Sequence, residues 1–251
     1  MTSLFLFFIG VTIGSFLNVL IDRLPNDEPI TGRSHCDYCK KKIAWYDLIP
    51  IISFILLKGK CRYCHKKLSF QYPLVEFLTG IVFLGFMIYD SRFVNSSIFN
   101  LKSISTLGIL SCLIVIFFSD FKYHLISDYI LLALFVFSIL FRLPSISHLA
   151  FYLVSGLMVA GPIYLIYDLS KERAMGLGDV YLSAIIGFLV GWKAGYLALY
   201  ISFVTGAFFG ILLIFLKNKK MKSKIAFGPF LVVGLITAMF FGDKILSLIR
   251  F

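Results

Sequence analysis

The sequence predicts an all-α polytopic membrane protein of about eight transmembrane helices, with a small cytoplasmic zinc-knuckle domain in its first loop. Hydrophobic residues make up 59% of the 251 residues and the mean hydropathy is +0.92, which excludes a water-soluble surface. Apolar runs recur at 3–21, 74–90, 104–119, 129–143, 149–169, 180–191, 194–216 and 227–248. Four of the five cysteines stand as two C-x-x-C pairs in the one long polar segment.

Taken in order, the first run starts at Leu4 with no basic segment before it and ends at Asn18 and Asp22 rather than at a small-residue cleavage site. It therefore reads as a retained helix, not a removed signal peptide. Residues 1–21 form the first transmembrane helix, 22–73 a loop domain and 74–251 a transmembrane bundle. Inside the loop, Leu48 to Leu57 is a shorter apolar piece opened by Pro50 and closed by Lys58-Gly59, which fits an interfacial or buried segment better than a span. The 180–191 run is too short to cross hydrocarbon upright, so either it packs inside the bundle or its boundaries lie elsewhere.

A net charge of +11 first suggests nucleic acid, but the basic residues lie between apolar runs, where membrane topology places them, so no nucleic-acid partner is expected. With the N-terminus outside, the outer segments hold Arg92, Lys102, Arg142, Lys193, Lys244 and Arg250, and the inner loops hold the rest, a bias of 18 to 6. The expectation is a multi-pass protein of the cytoplasmic membrane with both termini outside. In this topology Asp120 and Asp179 both fall at cytoplasmic ends of spans. The basic run Lys217 to Lys224 marks the inner face and touches anionic lipid.

Cys36-x-x-Cys39 and Cys61-x-x-Cys64, 21 residues apart, offer four soft ligands from two turns, the donor set of a closed tetrahedral zinc site with one ion per chain. Cytoplasmic placement favours reduced thiols over disulfides, although redox use of the pairs stays open. His35 and His65 flank the pairs as solvated loop residues or substitute ligands. Cys112, alone in an apolar run, reads as a packed core thiol.

Asp120 follows Ile116-Phe117-Phe118-Ser119, and Asp179 follows Gly176-Leu177-Gly178. An ionisable group at such a boundary is a functional hypothesis by default. Two carboxylates that share one proton can hydrolyse an amide: one takes a proton from the attacking water while the other donates to the carbonyl oxygen. Gly176 and Gly178 let the helix break at the boundary and let a substrate backbone come close to Asp179. Taken alone, the same motif also reads as the end of one helix followed by an aspartate that caps the next. Asp128 reads as the cap of a helix starting near Tyr129, and Asp168 as a boundary charge. Glu76, just inside the second run, is either interfacial or faces the bundle and contacts a substrate cation.

The motifs in order resemble the type IV prepilin leader peptidases. They are Gly14-Ser15-Phe16-Leu17-Asn18-Val19 with Arg23-Leu24-Pro25, the two cysteine knuckles around Trp45-Tyr46-Asp47-Leu48-Ile49-Pro50, Tyr72-Pro73-Leu74-Val75-Glu76, Asp120 with Asp128, Gly176-Leu177-Gly178-Asp179, and Phe227-Gly228-Pro229-Phe230. The resemblance implies a G-x-G-D aspartyl protease with Asp120 and Asp179 at the catalytic positions. It implies removal of the short basic leader of a prepilin or pseudopilin after a glycine, on the cytoplasmic side. It also implies N-methylation of the new N-terminus with S-adenosylmethionine, an activity associated with members that keep the 22–73 loop and its knuckles; only the resemblance implies that half.

Two positions depart from the family pattern. Tyr181 stands where Lys is common, and Ser127 stands where Pro is common before the second aspartate. Neither removes a proposed catalytic carboxylate. A peptidase without methylation is an alternative. A transporter would place its carboxylates near the bilayer midplane within an internal repeat, and neither is visible here. A thiol oxidoreductase would keep its cysteines exposed and free of metal.

Overall fold

The computed structural model describes residues 2–89, 100–216 and 226–249. Arg92, the basic run Lys217 to Lys224 and Arg250 lie outside the described residues. Among those residues all regular elements are helices, and the only β contacts are two isolated bridges, His35 to Lys42 and Lys60 to Lys67. We number the helices α1 (Thr2–Arg23), α2 (Ile52–Leu56), α3 (Gln71–Tyr89), α4 (Leu101–Tyr123), α5 (Asp128–Arg142), α6 (Leu149–Ser170), α7 (Leu177–Phe215) and α8 (Gly228–Ile249).

Each predicted apolar run lies in one of these helices, with boundaries shifted by a few residues. The α3 helix opens at Gln71, before the run that predicted it, because Pro73 is tolerated in a first turn whose N–H groups have no helical partner. Five helices are long and apolar enough to cross a membrane (those containing Leu4, Leu101, Leu149, Leu177 and Gly228), and Gln71–Phe86 is a shorter apolar stretch. The expected eight spans are therefore eight apolar helical segments of unequal length, α7 counting twice.

The α7 helix has 39 residues, about 58 Å at ~1.5 Å per residue, roughly twice a hydrocarbon core of ~30 Å. It is broken inside at Gly191, with φ 80° and ψ 169°, a backbone that only glycine adopts without strain. The break falls where the sequence separates the 180–191 and 194–216 runs. Carbonyls on its N-terminal side lose their helical partners, and a guanidinium nitrogen of Arg142 donates to the Leu189 carbonyl. The Arg142 guanidinium also stacks 3.7 Å from the centre of the Tyr152 ring. Arg142, expected as an outer-segment charge, is half-buried at the break, with its guanidinium engaged by the Leu189 carbonyl and the Tyr152 ring.

The chain forms two compact units, Met1–Val115 and Ile116–Phe251. In the first, α1 packs along α3. Small residues set the approach: a Cβ on Gly14 would lie 2.8 Å from the Glu76 Cα. Leu6, Phe86 and Leu110 form an apolar cluster with Ile9, Val82 and Leu107 around it. In the second unit, α7 packs against α5, α6 and α8, and Leu182, Ile186, Leu189, Leu231 and Leu235 are fully enclosed.

Candidate active site and metal centre

The four knuckle sulfurs come together in the first unit. All lie within 4.8 Å of one another, and the Cys36 and Cys64 Sγ atoms are 3.8 Å apart, close to the ~3.8 Å edge of a tetrahedron with ~2.3 Å zinc–sulfur bonds. Two turns of the same design build the cluster. In each, the first cysteine N–H bonds a carbonyl five residues on, Cys36 to Lys41 at 3.0 Å and Cys61 to Lys66 at 2.9 Å. Lys40 and His65 close the turns by donating N–H to the Cys36 and Cys61 carbonyls at 2.8 and 3.0 Å, both with φ 54°. His65 is therefore a backbone corner, and His35 sits in a bridge with Lys42. Burial pushes the Cys36 thiol up to about 11, while the Cys64 backbone N–H, followed by that of Tyr63, brings Cys61 down to about 7. Four cysteine sulfurs converging on one point, two of them buried, are positioned to bind a metal ion. Cys112 is a buried free thiol, as expected.

Motif residues of the same unit tie the knuckles to α1 and α3. Arg62 grips Asp47 with Nη2 to Oδ1 at 2.5 Å and Nε to Oδ2 at 2.8 Å, and its guanidinium lies over the Tyr46 ring. The Tyr72 hydroxyl donates to Asp22 Oδ2 at 3.0 Å and Asp37 Oδ2 at 3.4 Å, and Asn18 Nδ2 donates to the Tyr72 carbonyl at 3.0 Å. Glu76 is buried and its Oε2 accepts the Ile51 N–H at 2.7 Å. Ile51 has φ 61°, costly for a β-branched residue, and the Glu76 carboxylate holds it there.

Asp120 and Asp179 both belong to the second unit and both are buried, with relative exposures of 6% and 9%. Asp120 lies one turn from the C-terminus of α4, where the N–H of His124, with φ 54°, bonds the Asp120 carbonyl at 2.9 Å and ends the helix. Ser119 fixes the chain beyond by donating Oγ–H to the Leu125 carbonyl at 3.0 Å. The charge of Asp120 acts on Asp179, so the two carboxylates are electrostatic neighbours.

Asp179 sits in the first turn of α7. Its Oδ2 accepts the Gly176 N–H at 3.3 Å, and its own N–H bonds the Gly176 carbonyl at 3.2 Å. This is the carboxylate half of a capping box, with Asp179 as the third helical residue and Gly176, which has no side chain, at the cap; Asp179 thus serves the helix start from inside the first turn rather than from the cap position. Neither glycine of the motif has a left-handed backbone. Gly178 instead allows a close approach, since a Cβ there would lie 3.1 Å from the Ile126 Cβ, tighter than an ordinary contact. Asp128 is in the first turn of α5 and Ser127 occupies the cap position, a residue type that starts helices as Pro does. Tyr181 is half exposed on α7, two residues beyond Asp179 and so about 200° around the helix from it.

One partner of the aspartates was quoted in the sequence motifs without a role. The Gly228 N–H, at the start of α8, donates to Asp120 Oδ2 at 2.8 Å. A Cβ at position 228 would lie 2.7 Å from that oxygen, so any larger residue would push the carboxylate back from the amide. The Phe-Gly-Pro-Phe spelling carries the signal: Pro229 lacks an N–H, which leaves the Gly228 amide as the donor that opens α8.

Known proteins resemble the chain over nearly its whole length. Residues 8–89 match the Bacterial Peptidase A24 N-terminal domain and residues 107–211 match the Type IV leader peptidase family. The prepilin leader peptidase/N-methyltransferase of Bacillus subtilis (strain 168) is 32% identical over 246 residues, covering 96% of this chain and 95% of the relative. The chain belongs to the type IV leader peptidase family. The family member of the same name from Aeromonas hydrophila is 30% identical, covering 95% of this chain and 90% of its own, and that of Pseudomonas aeruginosa is 27% identical, covering 94% and 89%. No solved structure gives a significant match. The two family segments cover α1 to α3 with both knuckles, and most of α4 through α7 with both aspartates.

Proposed function

We propose that the chain is a multi-pass membrane aspartyl endopeptidase that removes the short basic leader of prepilins or pseudopilins, after a glycine and on the cytoplasmic side, and then N-methylates the new N-terminus. The observation that carries the peptidase half is the pair Asp120 and Asp179, both buried in one unit and each bound through one oxygen to a backbone amide.

In the proposed reaction the two carboxylates share one proton. Both carboxylates face a helix N-terminus, and the shorter amide contact, 2.8 Å against 3.3 Å, favours Asp120 as the charged member. Asp120 takes a proton from water as the oxygen attacks the glycine carbonyl, and Asp179 donates its proton to the carbonyl oxygen. On collapse the C–N bond breaks, the proton held by Asp120 passes to the departing amine, and the hydroxyl proton returns to Asp179. Catalytic roles for these two residues, a contact of Glu76 with substrate, and the inward-facing site with both termini outside are parts of this reading.

Cys36, Cys39, Cys61 and Cys64 would hold one zinc ion, which supplies a structural cross-link with no open coordination position. The described residues present no feature that selects S-adenosylmethionine, so methyl transfer rests on the family relationship alone, and the loop domain at 22–73 is its proposed seat. The test is co-expression of a prepilin with wild type, Asp120→Ala or Asp179→Ala. Leader removal is read by gel shift and the mature N-terminus by mass. We expect processing to fall at least ~10²-fold in either variant. Full processing by either one sinks the dyad, and an unmethylated product from wild type supplied with methyl donor removes the transferase half.

A further inference from the structure

The segment between the knuckles supplies none of the named catalytic or metal-binding side chains, yet it exposes an unusual apolar surface. Trp45 is 75% exposed, Ile55 66%, Leu56 76% and Phe70 69%, with Ile52 beside them at 55%. A loop domain bathed in water would bury such side chains; a contiguous set left open marks an interaction surface.

Two contacts fix the level at which this surface sits. The Ile51 N–H is bonded at 2.7 Å to Glu76, the sixth residue of α3, and the Phe54 ring lies 6.3 Å, edge-on, from that of Phe70, immediately before α3. The α2 helix is thus held beside the first two turns of α3, where the apolar stretch of that helix begins. Lys58 and Lys60 follow α2 directly and are exposed, and the chain then returns through Arg62, Lys66 and Lys67. Apolar side chains with an exposed Trp, followed at once by lysines, have the composition of a segment at the boundary between acyl chains and anionic headgroups.

We propose that Trp45 and α2 form an interfacial anchor that lies in the headgroup region of an anionic bilayer, with Ile52, Ile55 and Leu56 entering the acyl boundary and Lys58 and Lys60 contacting phosphate. The lipid surface, not a protein partner, is its occupant. The anchor holds the loop domain against the membrane independently of either proposed reaction.

The test uses the full-length protein in vesicles. One variant, Trp45→Phe with Trp192→Phe and Leu56→Trp, puts the sole indole on α2; a second, Trp192→Phe alone, leaves only the native Trp45 and does not alter α2. Each is reconstituted in phosphatidylcholine, in an equimolar mixture with phosphatidylglycerol, and in the mixture with chain-brominated phosphatidylcholine. We expect blue-shifted emission, quenching by the brominated chains, loss of acrylamide quenching relative to detergent, and a larger shift in the anionic mixture. An indole that stays open to acrylamide and untouched by brominated chains in both variants overturns the anchor. A shift of equal size in neutral vesicles overturns the anionic preference. Protection that develops only when a prepilin is added assigns the surface to substrate and also overturns the proposal.

Discussion

Replacing Gly228 with alanine tests whether the amide at the start of α8 governs the Asp120 carboxylate. The added methyl would stand 2.7 Å from Asp120 Oδ2 and 3.1 Å from its Cγ, so the carboxylate must retreat by about 0.5 Å to restore an ordinary contact of ~3.2 Å. The 2.8 Å hydrogen bond lengthens by a similar amount and the free oxygen moves with it. Misplacement of about 1 Å costs on the order of 10²-fold in rate, so half of that predicts a loss of roughly 10-fold, about 1.4 kcal/mol in the barrier. Overpacking adds about 1–3 kcal/mol of destabilisation. The assay is turnover of a purified prepilin by Gly228→Ala, with thermal unfolding of Gly228→Ala, Asp120→Ala and the double variant. Because the clash needs the carboxylate, the double variant should recover most of the stability that Gly228→Ala loses. If alanine at 228 destabilises equally with and without the Asp120 carboxylate, or if turnover stays at the wild-type rate, the reasoning fails.

Three further outcomes follow from the structure. Serine at Cys36, Cys39, Cys61 or Cys64 should lower bound zinc from about one ion per chain and reduce folded yield, measured by metal analysis of purified protein; unchanged metal content counts against the site. Arg142→Met leaves the Leu189 carbonyl beside the Gly191 break without its donor and should cost about 1–3 kcal/mol in thermal unfolding, and Arg142→Lys should fail to restore it because an ammonium cannot stack flat on Tyr152. Glu76→Ala frees the Ile51 N–H and should relax the left-handed backbone there, seen as faster tryptic cleavage at Lys58 and Lys60 with α1 and α3 intact.

The membrane helices were legible because each carries an apolar run, and the four-cysteine cluster because its members are paired at fixed spacing. Less legible were the contacts between positions far apart in sequence. The partners of Arg142 are an example: charge counting treats every cation as solvated, whereas a broken helix supplies bare carbonyls for a guanidinium to meet. The Ile51 contact of Glu76 is another, because the partner is a backbone amide in the loop, which no residue type announces. Gly228 stood in a motif whose meaning is geometric: the residue matters for the atoms it lacks. The opposition between helix cap and functional carboxylate at Asp179 was artificial, because a first-turn carboxylate can bind an amide with one oxygen and leave the other free.

That division of oxygens has a further consequence. Asp120 and Asp179 each commit Oδ2 to a backbone amide, at 2.8 and 3.3 Å, so in the proposed dyad chemistry is left to the two Oδ1 atoms. Their separation is set by the length of one methylene on each side, measured from a fixed peptide. Glutamate would carry the same charge on a longer lever, and could keep the amide bond only by swinging its other oxygen out of register. What such a site selects is reach, with acidity following from it.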